Sequence, residues 1–177
     1  MGGKSSRSLP KAFGDDGKTV NVIVETPRGC RNKFKYDEKS DRFQLHTVLP
    51  AGAAFPYDFG FVPGTKADDE DPIDVLLLMD EPAFVGCVVA SRLIGVIEAE
   101  QTEDGKTIRN DRLVAVAQNA HDYQDLRTLA DLNENLLKEL EHFFVSYNEM
   151  KGRKFVFLGT RGPRRARKLL DAAVRAN

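Results

Sequence analysis

The stretch DDEDPID, residues 68–74, sets five carboxylates in seven positions with no basic residue among them, then runs into the apolar VLLLM. Alternate residues of an extended segment share a face, so Asp69 and Asp71 are expected to point the same way. Pro72 favours an extended Asp71 and a turn after it, which would bring Asp74 round toward the same point. Two carboxylates about 5 Å apart repel by about 3 kcal/mol at an effective dielectric near 20. Three together persist only if they are protonated, solvated or neutralised by a cation. Oxygen donors with no His or Cys nearby select Mg²⁺, Mn²⁺ or Ca²⁺ over Zn²⁺. An EF-hand is excluded, because its glycine and terminal glutamate are not at the required positions. A divalent metal site is the expectation, and a solvated acidic loop is the alternative.

The elements that must position these residues follow from pattern. VNVIVET (20–26), NKFKY (32–36) and RFQLHTVL (42–49) are rich in β-branched and aromatic residues and read as strands. DVLLLM (74–79) is a continuous apolar run, hence a strand buried on both faces. Residues 86–100 and RLVAVA (112–117) are further strands. PAGAAFPYDFGFVPG is loop-like by its three prolines and three glycines, yet it carries four aromatics that either cap the core or line a site. Leu132, Leu136, Leu140, Phe143, Phe144 and Tyr147 recur at helical spacing and predict an amphipathic helix over about 132–150. KFVFLG then reads as a strand, followed by a basic helix from about 163. Its Arg164, Arg165, Arg167 and Lys168 fit a solvated face better than a nucleic-acid contact. Short strands followed by helices indicate an α+β fold built on a small closed barrel.

At 177 residues the chain is long enough for one well-packed domain. That domain is expected over 20–177, after a loose polar arm over 1–19. A formal net charge of −1 argues against a general nucleic-acid binder. Cys30 and Cys87 are too few for a disulfide framework and are not spaced as metal ligands. No run is long and apolar enough to span a membrane. MGGKSS carries no apolar signal, so a cytoplasmic protein without a membrane partner is expected. The same start fits a myristoylation pattern through Gly2 and Ser6.

Asp69 and EDPIDVLLL resemble the Asp-x-Asp-Pro-x-Asp signature of the soluble family I inorganic pyrophosphatases. VIVETPRGCRNKFKYD, LPAGAAFPYDFGFVPGT, LIGVIEAE, RLVAVA and HFFVSYNEMKGRKF are similar to family segments in the same order, covering roughly residues 20–158. The resemblance implies an OB-like five-stranded barrel with flanking helices and a homo-oligomeric assembly. It also implies Mg²⁺-dependent hydrolysis of pyrophosphate to two orthophosphates, with Mn²⁺ as a possible substitute. By the same resemblance Asp69, Asp71 and Asp74 match the metal-holding aspartates, and Asp71 the residue assigned to activating water. Glu25 matches a glutamate on the rim, Lys33 a phosphate-contacting lysine, and Tyr147 a tyrosine that hydrogen-bonds phosphate. Asn110 and Arg112 match a metal-binding aspartate and a lysine of the hairpin before LVAVA.

Several positions depart from the family pattern. Lys35 replaces a glutamate, and His46 and Thr47 stand where an arginine is expected. Phe59 replaces an active-site tyrosine, and Asn148 a lysine. The second hairpin aspartate falls near Glu103 or Asp104, and Asp111 is expected to face away from Asn110. Arg112 keeps the charge of a lysine but adds a bidentate fork. These changes make the pocket more positive and leave two alternatives open. One is hydrolysis of another phosphoanhydride, such as a polyphosphate or nucleotide; the other is a non-catalytic barrel that binds a phosphorylated ligand or a partner.

Overall fold

Strand β1 (Val20–Thr26) is almost entirely buried, as its run of β-branched residues requires. In the computed structural model, which describes residues 9–175, it begins a closed ring. β1 pairs antiparallel with β4 (Asp58–Phe61), and β4 pairs antiparallel with β5 (Asp74–Leu78). β5 lies parallel to β8 (Arg112–Ala117), β8 pairs with β6 (Val88–Glu103), and β6 returns to β1. This closure produces the expected small OB-like barrel. Leu76, Leu78, Ile94, Leu113 and Val114 are among its fully buried residues.

β6 is longer than the ring needs. Its far half carries β7 (Lys106–Arg109), reached through a turn at Asp104 and Gly105, and also pairs with β9 (Lys154–Arg161). β2 (Asn32–Asp37) and β3 (Arg42–Val48) form a separate hairpin. Helix α1 (Glu134–Glu149) starts later than its apolar spacing suggests, because Asn133 accepts a hydrogen bond from the Asn135 amide and caps it. Leu132 instead ends a short 3₁₀ turn, Leu129–Asp131. Leu140, Phe144 and Tyr147 are the apolar residues that α1 buries, and α2 (Pro163–Arg175) buries Ala166, Leu170 and Ala173.

Two expectations are corrected. β4 lies inside the Pro/Gly-rich stretch read as a loop, where Gly60 lets β1 come unusually close. A Cβ on Gly60 would sit 2.1 Å from the Ile23 carbonyl oxygen. Residues 11–19, expected as part of a loose arm, are held against the domain. The Ala12 carbonyl accepts from the Asn21 amide at 2.9 Å, and the Arg167 guanidinium lies 4.2 Å from the Phe13 ring centroid. Gly2 and Ser6 lie outside the described residues.

Two basic residues of helix α2 are paired within the chain, Arg165 donating to Glu98 and Arg167 to Asp171, while Arg164 and Lys168 are exposed. Val88 of β6 and Val156 and Leu158 of β9 are exposed. Among the described residues no helix is long and apolar enough to cross a membrane. The close approach at Gly60 yields a first prediction. Gly60→Ala forces β1 and β4 apart and should lower stability by about 2 kcal/mol or more. Urea denaturation checks it, and an unchanged midpoint would refute the proposed constraint.

Candidate active site

The acidic loop between β4 and β5 is fastened at its base. The Thr65 hydroxyl donates to the Val62 carbonyl and accepts from the Ile73 amide, and the Val62 amide donates to the Ile73 carbonyl at 3.1 Å. Beyond this clasp the chain is not extended, contrary to expectation. Glu70 takes a φ of 68°, and the Ala67 amide donates to the Asp71 carbonyl at 2.8 Å, so residues 67–71 form a tight turn. Asp69 is bound into that turn, accepting from the Asp71 amide at 3.2 Å.

Asp69, Asp71 and Asp74 nonetheless line one wall of a cavity of about 550 Å³. Burial, then the charges of Asp74 and Asp71, push the Asp69 carboxyl above its ordinary pKa. The other two carboxylates are answered by cations of the chain. Lys35 Nζ lies 2.7 Å from Asp71 in a half-exposed pair, and Arg112 Nη1 lies 3.1 Å from Asp74. The pairing of Arg112 with Asp74 follows from topology, because parallel β5 and β8 set Val75 beside Leu113.

Arg112 is only 5% exposed. Its guanidinium carbon lies 5.5–6.0 Å from the centroids of Phe144, Phe155 and Phe59. It also donates to the backbone and side-chain oxygens of Asn110, while its Nε has no partner. The Asn110 amide in turn donates to Gln101 at 2.8 Å. Asp111 turns elsewhere, accepting from Arg109 and from the Ala99 amide.

The opposite wall belongs to the β2–β3 hairpin and the end of α1. Side chains of β1 carry the hairpin: Glu25 accepts from the Tyr36 amide at 2.7 Å and Thr26 from the Phe34 amide at 3.2 Å. A register shift between Lys33 and Phe34 re-aims the strand there. Lys33 Nζ sits 4.5 Å from the Phe59 centroid and 5.7 Å from that of Tyr147. Burial, the largest effect, pulls the Lys33 amine below its ordinary pKa. Phe55 and Phe59 are core residues beneath Lys33, and Phe61 is the aromatic of the Pro/Gly-rich stretch that lines the cavity. Tyr147 is buried in the aromatic stack of α1, and its hydroxyl accepts from Lys151 at 2.6 Å. Burial raises the Tyr147 pKa and so preserves it as a proton donor. His46, Arg153 and Glu103 also line the cavity, as does the largely buried Asn148, whose amide donates to the Phe144 carbonyl.

A carboxylate wall facing an ammonium wall across a barrel mouth suits a phosphate ester or anhydride carried with cations. The inorganic pyrophosphatase family model matches residues 22–177. The chain belongs to the inorganic pyrophosphatase family. An inorganic pyrophosphatase from a Nostoc species is 34% identical over 157 residues, 89% of this chain and 90% of that protein. One from a Synechocystis species is 36% identical over 140 residues, 79% and 80% of the two chains. The crystal structure of inorganic pyrophosphatase from Thermus thermophilus is similar with a TM-score of 0.86 at 29% identity, covering 96% of each chain.

Enzymes of the inorganic pyrophosphatase family are metal-dependent, and the donor chemistry here fits a hard divalent cation. The wall is all oxygen, and repulsion from Asp74 and Asp71 adds to burial in holding the Asp69 carboxyl above its ordinary pKa. The side chains as they stand do not form a ligand cage. Among the described residues no three His, Cys, Asp or Glu side chains are grouped to hold a metal. Lys35 and Arg112 occupy two of the carboxylates, and Asn110 is committed to Arg112 and Gln101. Lys151 and Arg153 were not singled out from sequence, because basic residues just after a helix usually face solvent. Their only signal was proximity to Tyr147.

Glu25 yields the second prediction. Burial, its largest influence, raises this carboxyl from 4.5 to about 7. The folded protein therefore keeps a proton that the unfolded chain releases between those values. Stability from Glu25 is full below about pH 4.5 and lost as pH rises through 7, by about 3 kcal/mol. Glu25→Gln keeps the acceptor for Tyr36 and should flatten that decline in chelator-treated protein. Urea midpoints across this range measure it, and equal slopes in both proteins would sink the assignment.

Proposed function

We propose that this chain hydrolyses inorganic pyrophosphate to two orthophosphates with Mg²⁺, using the cavity between the acidic loop and the β2–β3 hairpin. The observation that carries the proposal is the juxtaposition of Asp69, Asp71 and Asp74 with Lys33, Lys35 and Tyr147 around one cavity. Asp69, Asp71 and Asp74 would hold the metal, with Glu25 on the rim and Asn110 at one edge. When bound there, divalent cations supply positive charge to the phosphate oxygens and lower the pKa of water.

The chain's own groups divide the remaining work. Asp71, half exposed, accepts the proton of the attacking water. A water oxygen adds to one phosphorus, the bridging P–O bond breaks, and the bridging oxygen leaves with the other phosphate. Lys33, over the Phe59 ring, and the Tyr147 hydroxyl bind phosphate oxygens and spread the charge that develops on them. Arg112 is assigned a positioning role, because Asp74 and Asn110 already engage its guanidinium. Its charge also lowers the cost of bringing a polyanion beside the carboxylates.

The cations of Lys151 and Arg153 favour a second reading, in which a longer phosphoanhydride is preferred. The exposed Val88, Val156 and Leu158 support a homo-oligomer, and a monomeric mass by light scattering would set that aside.

The deciding experiment measures phosphate release from pyrophosphate, tripolyphosphate and ATP, each with Mg²⁺, with Mn²⁺ and with excess chelator. Pyrophosphate should be cleaved fastest, and chelator should abolish release. Background rates with both metals on all three would refute the enzymatic reading, and a faster tripolyphosphate rate would favour the second. Asp71→Asn should lower turnover by about 100-fold or more, in the range expected for a lost general base. Its fold should persist, since the exposed pair with Lys35 contributes little to stability. An unaltered rate in the folded variant would move water activation to another group.

A further inference from the structure

We propose that Lys151 is a substrate-binding residue of this site: its ammonium and the Tyr147 hydroxyl together hold one phosphate group of pyrophosphate. The proposal rests on the pyrophosphatase reading above. It starts from Asn148, where the family resemblance calls for a lysine. That side chain is a neutral amide that donates to the Phe144 carbonyl at 2.8 Å, so it brings no charge to the cavity it borders.

The cation comes from the turn that ends α1. The Lys151 and Arg153 amides both donate to the Asn148 carbonyl, at 2.9 and 3.0 Å, and Gly152 supplies a φ of 71° between them. This tight exit brings Lys151 back over the helix end. Its Nζ lies 2.6 Å from the Tyr147 oxygen and 4.4 Å from the ring centroid. Among the described residues no carboxylate lies within ion-pairing distance of it.

The direction of the Lys151–Tyr147 bond matters. An ammonium has only donors, so Tyr147 accepts through an oxygen lone pair, and its own hydroxyl proton remains free for another acceptor. Lys151 and Tyr147 thus offer two donors side by side, which a tetrahedral oxyanion can accept together. The charges point the same way. Burial, then the charges of Lys33, Arg153 and Lys35, lower the Lys151 amine to about 8 against the opposing charge of Glu103. Lys35 and Arg153 have carboxylate partners in Asp71 and Glu103, but among the described residues Lys33 and Lys151 have none within ion-pairing distance, and a bound phosphate relieves their mutual repulsion.

The test compares Lys151→Met, Lys151→Arg and, as a control outside the cavity, Lys154→Met. KM and kcat for pyrophosphate are measured with Mg²⁺, inorganic phosphate binding by calorimetry, and thermal unfolding by circular dichroism. Lys151→Met should raise KM and weaken phosphate binding by about tenfold each, as for a lost charged hydrogen bond. Lys151→Arg should recover most of both, Lys154→Met should match the wild type, and all should melt alike. A Lys151→Met protein with wild-type KM and phosphate affinity overturns the proposal. So does a loss that Lys151→Arg fails to rescue and that tracks a lowered melting temperature. If the wild type releases no phosphate, the pyrophosphatase reading fails by itself, and the phosphate titration still decides Lys151. Equal affinity with and without the lysine, or no binding by either protein, counts against it.

Discussion

An arginine buried at the mouth of a closed barrel sets the terms for everything around it. Arg112 lies among Phe59, Phe144 and Phe155, so strand β4, helix α1 and strand β9 each contribute a ring to its surroundings. A buried guanidinium carries a desolvation cost of several kcal/mol unless charge and hydrogen bonds answer it. Asp74 supplies the charge, and the two oxygens of Asn110 supply acceptors. Position 110 in this pocket is therefore tied to the needs of position 112. An amide that bridges Arg112 and Gln101 satisfies donors and acceptors on both sides, whereas a carboxylate there could only accept.

The two ion pairs of the acidic wall differ in consequence. Lys35–Asp71 is half exposed, and pairs of that kind contribute about 0–1 kcal/mol. A cation arriving at Asp71 has little to displace. Arg112–Asp74 is anchored by an arginine that cannot follow its charge into solvent, so separating it would leave an uncompensated buried ion. One carboxylate is thus easily freed and another is held. Asp69 lies between these extremes, bound into its turn but still repelled by both neighbours.

Much of the scaffold was legible in the sequence because its signals are local. β1, β5 and β8 announce themselves by apolar runs of strand length, and α1 by its spacing of Leu and Phe. β4 did not, since prolines and glycines around it read as loop. The role of Gly60 emerges only where another strand's backbone passes within contact. The acidic run was legible as a chemical group but not as a shape. Side-chain alternation assumes extended backbone, and a left-handed Glu70 removes that premise. The Arg112–Asp74 pair was hidden for another reason: it depends on the parallel register of two strands far apart in the chain. Lys151 escaped notice because the tight turn at Gly152, not helical periodicity, returns it to the cavity.

The titration behaviour of the cavity joins these pieces. Asp69 and Glu25 are pushed up while Lys33 and Lys151 are pulled down, so groups of both signs resist their charged forms. Burial is the first cause in all four, and like-charged neighbours add to it in each. Opposite walls of one cavity could in principle neutralise one another by collapsing into ion pairs. Among the described residues that line it, they do so at Lys35–Asp71, Arg112–Asp74 and Arg153–Glu103. The clasp at Thr65 restrains the acidic loop, and the bonds from Glu25 and Thr26 restrain the hairpin that carries Lys33. What relieves both walls together is an anion for the lysines and cations for the carboxylates, brought in side by side. A metal-bound pyrophosphate has that charge pattern, and backbone-anchored side chains keep the walls apart to receive it.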